Sequence, residues 1–118
     1  MNRIKTIHLD GAEYRICSMT MADAEQYLAD QAEAIRIGVA LPEDGLRLQK
    51  ENNYRIVASC LNRAMEDGAK KIEPADVPKL LDLVAFGAIH KEILEFSGLK
   101  LANESETKPG EAVASQTP

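Results

Sequence analysis

The chain has 118 residues, 45% of them hydrophobic and 28% charged, the balance of one folded domain with a thin core and not of a multidomain enzyme. Aromatic residues make up only 4% and tryptophan is absent, so Leu, Ile, Val, Ala and Met must fill that core. A formal charge of -5, with Lys70-Lys71 as the longest basic run, argues against a nucleic-acid partner, because phosphate affinity comes from clustered Lys and Arg that release counterions.

The first element is written in Ile7 to Ile16, IHLDGAEYRI. Asp10-Gly11 supplies the positive backbone angles of a type I′ turn, which predicts a hairpin with Leu9 facing Ala12, Ile7 facing Tyr14 and Lys5 facing Ile16. One face then carries Ile7, Leu9, Ala12, Tyr14 and Ile16; the other pairs His8 with Glu13 and Thr6 with Arg15. At Thr20 the hydrophobic period changes. Thr20-Met21-Ala22-Asp23 reads as an N-cap with an acidic residue in the first turn, and a helix is expected from Met21 to Arg36 with Ala24, Leu28, Ala32 and Ile35 inward. Gly38, Pro42 and Asp44-Gly45 predict a loop.

A second helix is expected from Leu46 to Asp67, with Ile56, Val57, Cys60, Leu61, Ala64 and Met65 on its inner face and Glu51, Arg55, Asn62, Arg63 and Glu66 on its outer one. Gly68 would stop it. The two prolines of Glu73 to Pro78 predict a short helical turn. The last helix should start near Pro78 or at Asp82 and end at Ser97, with Gly98 in the left-handed position and Leu99 folded back onto Leu94. From Asn103 onward large apolar residues almost vanish. The expected architecture is therefore α+β: an N-terminal hairpin on three or four helices, a single domain over residues 1–101, and a disordered tail over 102–118.

The search for chemistry returns little. His8 and His90 lack metal-ligand neighbours at a usable spacing, no glycine-rich phosphate loop occurs, and Ser18, Ser59 and Ser97 have no nucleophile-elbow context. Asp23, Glu25, Asp30 and Glu33 are expected to be a solvated charged face. Cys17 and Cys60 are expected to be buried free thiols in a chain with no secretory leader. The longest wholly apolar run apart from glycine, Leu83 to Ile89, falls far short of the roughly 20 residues of a membrane span. No enzyme activity, cofactor or metal is expected, and the expected location is the cytoplasm.

What exceeds an ordinary helical domain is apolar area. Ala85, Phe86, Ile89, Ile93 and Phe96 form one stripe on the last helix, widened by Leu83 and Leu94. Either the hairpin covers the surplus or an outside partner does. Ile7, Leu9, Tyr14 and Ile16 on the hairpin, with Phe86, Ile93 and Phe96 on the last helix, are the residues expected to meet such a partner, an apolar helix. The hairpin's open strand edges are expected to support self-association.

The order of these parts, with Ser18-Met19-Thr20-Met21-Ala22-Asp23 opening the first helix and DVPKLLDLVAFGAIHKEILEFSGL at Asp76 to Leu99, resembles the small tail assembly chaperones of long-tailed bacteriophages. The likeness covers about residues 4–101, and the Ser-Gly-Leu helix end at Ser97 to Leu99 is its most recognisable piece. The resemblance implies a non-enzymatic protein that binds the long apolar tape-measure protein, keeps it soluble and helps tail-tube subunits assemble round it. It implies no catalytic residues and transfers no partner-binding position. Alternatively, Ala69 to Val77 looks like the loop and short helix that close a histone-like fold or an ATPase lid, which would make the chain a small helical adaptor. The acidic charge and the missing Walker motifs stand against that reading.

Overall fold

Asp10 and Gly11 take φ values of 50° and 82°, the left-handed pair that a type I′ turn requires. They join β1 (Ile4–Leu9) to β2 (Ala12–Cys17) in the expected register, from Leu9 opposite Ala12 to Ile4 opposite Cys17. The computed structural model describes residues 3–99, and the tail expected over 102–118 lies outside them. After the hairpin come α1 (Met21–Ala40), α2 (Pro42–Arg63), a 3-10 turn (Pro74–Asp76), α3 (Val77–Leu80) and α4 (Leu83–Phe96). The fold is α+β, and β1 with β2 forms the one sheet among the described residues.

Capping decides three boundaries. The Asp23 N–H donates to Thr20 Oγ1 at 3.0 Å, and the Ala85 N–H donates to Asp82 Oδ1 at 2.8 Å, so α1 and α4 begin where a side-chain acceptor satisfies a first-turn amide. At the far end of α4, Gly98 has φ 88°, the Leu99 N–H donates to the Leu94 carbonyl at 2.8 Å, and the Gly98 N–H donates to that of Glu95 at 3.1 Å. That is the Schellman arrangement.

The largest departure lies between α1 and α2. The expected loop at 38–45 is absent: α1 continues four residues past Arg36, and Leu41 alone separates it from α2. Pro42 is tolerated because it sits in the first turn of α2, where its missing N–H has no helical partner to lose. The glycines are packing residues. A Cβ on Gly45 would lie 2.5 Å from Gly38 Cα and 2.9 Å from the Ala34 carbonyl oxygen, so the two backbones touch where they cross. At its other end α2 stops at Arg63, four residues before the expected Asp67. Ala64 and Met65 continue in a turn, and Asn62 ties the following segment back by accepting the Ile72 N–H at 2.7 Å and donating to the Ile72 carbonyl at 2.8 Å.

The core lies where the hairpin, the C-terminal half of α2 and α4 meet. Ile16, Ile56, Val57, Cys60, Val77, Ile89, Ile93 and Leu94 are buried there, with Ile7, Leu9, Tyr14, Phe86 and Phe96 packed against them. Cys17 and Cys60 are buried free thiols. The stripe of α4 is thus shared out: Phe86 packs on Tyr54 of α2, the Arg3 and Lys5 side chains reach Phe96 and Glu92, and Leu83 stays exposed. The molecule measures 51 × 32 × 29 Å.

Candidate partner-binding surface

Which face α1 buries is settled by polar residues. Tyr27 and Ala34 point inward, flanked by Asp23, Asp30 and Gln31, and each polar member finds a partner on α2. Asp23 meets Arg63 at 2.6 Å and Asp30 meets Arg55 at 2.8 Å. The buried Asn52 donates to the Tyr27 carbonyl at 3.0 Å and to Gln31 Oε1 at 3.1 Å, while its own oxygen accepts from Arg55. A buried amide without such partners would cost about 1–3 kcal/mol, so these bonds fix the rotation of the helix. Arg63, expected on the outer face, is half-buried and also donates to the Ser18 carbonyl at 2.9 Å.

That rotation overturns the inner face expected for α1. Leu28 is 52% exposed and Ile35 58%, and Ala32 is exposed as well. Met21, Leu28 and Ile35 recur at every seventh residue and Val39 follows, so one apolar row runs about 27 Å along the outside of α1. Leu41 and Leu46 continue it over the turn into α2. Where the two glycines cross, Ile35, Val39, Pro42 and Leu46 rim a shallow hollow of about 420 Å³. The small residues that let the helices approach thus leave room for an apolar side chain from outside.

A second concavity, of about 470 Å³, lies between the free edge of β2 and the end of α2. Tyr14, Leu61, Met65, Ile72, Val77 and Leu80 line it, with Glu13 and Arg15 along its rim. Leu80 is exposed, as are Leu83 and Val84 at the start of α4.

The residues expected to meet a partner are brought together, but inward. Ile16 and Ile93 are 0% exposed, so neither has surface to offer. Ile7, Leu9 and Tyr14 are half-buried against the same core. Phe86 sits edge-on to Tyr54 and stacks on His90, with ring centroids 5.5 and 5.9 Å apart. Phe96 lies beneath the Arg3 guanidinium, 4.6 Å from its ring centre. The residues that do line the outside, Leu28, Ile35, Val39 and Leu46, were readable only as apolar positions whose direction depended on α2.

Burial sets the titration of three side chains here. Burial lowers the His90 pKa and raises that of Tyr27; the two meet at 3.1 Å, and the Tyr27 hydroxyl donates to Asn53 at 3.0 Å. Burial pushes the Cys60 thiol up to about 12, away from the thiolate that nucleophilic chemistry needs. Among the described residues no group of three or more His, Cys, Asp or Glu is placed to hold a metal, and no helix is long and apolar enough to cross a membrane. No family model, curated protein or solved structure matches the chain.

Proposed function

We propose that the chain is a tail assembly chaperone of a long-tailed bacteriophage, working in the host cytoplasm without catalysis or a cofactor, that binds the tape-measure protein, keeps it soluble and assists tail-tube assembly. The observation that carries this reading is the apolar row Met21, Leu28, Ile35 and Val39, left uncovered on the longest extension of the fold. A row at seven-residue spacing on a straight helix suits a second apolar helix laid along it. Three carboxylates of α1 are already engaged, Asp23 and Asp30 by α2 and Glu33 by Arg36, so the row is bordered mainly by paired charges. The binding residues of this proposal are accordingly those of α1 and not the buried pair Ile16 and Ile93.

Coexpression with a phage tape-measure gene tests it. The tape-measure protein should stay in the soluble fraction with the parent chain and precipitate without it. Equal precipitation in both cases defeats the proposal.

A further inference from the structure

We infer that β2 pairs antiparallel with β2 of a second copy about a two-fold axis at Tyr14, so that two hairpins form one four-stranded sheet. The inference does not depend on the chaperone reading.

Hydrogen-bond alternation carries the first step. In a hairpin closed by a two-residue type I′ turn, Leu9 and Ala12 exchange ladder bonds, and so does every second pair beyond them: Ile7 with Tyr14 and Lys5 with Ile16. The Ser18 N–H to Arg3 carbonyl bond of 2.8 Å continues the same series. The backbone N–H and C=O of Glu13 and Arg15 therefore point out of the sheet, along the rim of the apolar groove.

Charge selects the occupant and the register. A second β2 must set an outward-facing residue opposite another. With Tyr14 opposite Tyr14, Glu13 of each copy faces Arg15 of the other, and both residues are exposed. The outward N–H and C=O of Glu13 and Arg15 are then satisfied on each strand, and two opposite-charge pairs form on the solvent side. A shift by one residue either way about the axis sets Glu13 against Glu13 or Arg15 against Arg15, which is repulsive. Arg15 makes no ion pair within its own chain among the described residues, and Glu13 reaches only His8, at 3.8 Å. The edge of β1 presents Ile4, Thr6 and His8 and offers no such complementarity. On the inner side the two Tyr14 rings meet at the axis, beside the grooves of both copies.

Sedimentation of the full chain across a concentration series should show a monomer–dimer equilibrium that weakens with added salt. Glu13→Arg or Arg15→Glu alone replaces two attractive pairs by two repulsive ones and should weaken the dimer by about tenfold or more. The double variant restores opposite charges and should recover the parent constant, with circular dichroism confirming the fold of each variant. Tyr14→Cys gives a second reading. Non-hydrogen-bonded antiparallel partners have Cα atoms about 4.5 Å apart, within disulfide reach, so a mild oxidant should yield a covalent dimer while buried Cys17 and Cys60 stay reduced. A parent chain that remains monomeric, single reversals without effect, or a folded double variant that fails to recover would each overturn the inference.

Discussion

His90 sits half-buried between the Phe86 ring and the Tyr27 hydroxyl, an environment that accepts a neutral imidazole and resists a charged one. Because burial lowers its folded pKa below the unfolded value of about 6.5, the unfolded chain binds the extra proton first. The stability it contributes is fully present above that unfolded pKa and is lost as pH falls towards the folded value. Denaturant midpoints taken between neutral and acid pH should therefore fall, and His90→Gln should flatten part of that slope; an identical slope in the variant would exclude His90 as its source. Cys60 illustrates the same principle with the opposite charge type. A thiol pushed up to about 12 by burial, beside the equally hidden Cys17, should react with a thiol reagent only after denaturant opens the core, and immediate labelling of the native chain would contradict this packing.

At the scale of elements, the α1–α2 crossing is the most constrained contact. Gly45→Ala would place a methyl group 2.5 Å from Gly38 Cα and 2.9 Å from a backbone oxygen, and no flexible side chain is there to yield. The helices must separate, at a cost of about 1–3 kcal/mol, even though alanine favours a helix by up to about 1 kcal/mol over glycine. Thermal unfolding of Gly45→Ala should show a lower midpoint than the parent, and a rise would mean that propensity outweighs the clash. This crossing also marks where the sequence misleads. Glycine and proline near one another signal a loop when only neighbours are considered, but here Gly38 and Gly45 serve a close approach between two helices. The hairpin register and the end of α4 were legible because the residues that set them are local: Asp10-Gly11 for the turn, Gly98 and Leu99 for the stop. The buried face of α1 was not, because Asp23, Tyr27 and Gln31 become inward residues only through Arg63, Asn53 and Asn52, about 20 to 40 positions later on a helix they contact in space. For the same reason the burial of Ile16 and Ile93 was not legible: the apolar stripe of α4 was visible, but whether the hairpin or an outside partner would cover it was left open by the sequence.

For the whole molecule, the division of apolar residues between core and surface makes the proposed partner site separable from stability. Ile93 is fully buried in the core, so Ile93→Ala should cost about 2–5 kcal/mol and lose binding only by unfolding the chain. Leu28 and Ile35 stand more than half exposed on α1, and Leu28→Asp with Ile35→Asp should leave the thermal midpoint nearly unchanged. Covering Leu28, Ile35, Val39 and Leu46 with an apolar helix would stabilise a complex by on the order of 4–8 kcal/mol, since each is already partly shielded. The freedom lost on association costs about as much. One copy on one helix is therefore a weak complex, and a long tape-measure protein would be held by many copies whose attachments reinforce one another. A paired β2 edge would add to that reinforcement by joining neighbouring copies. The expected result is that the double aspartate variant stays folded, keeps its self-association and no longer holds the tape-measure protein in solution. Retention of full solubilising activity by that folded variant would remove α1 as the binding face.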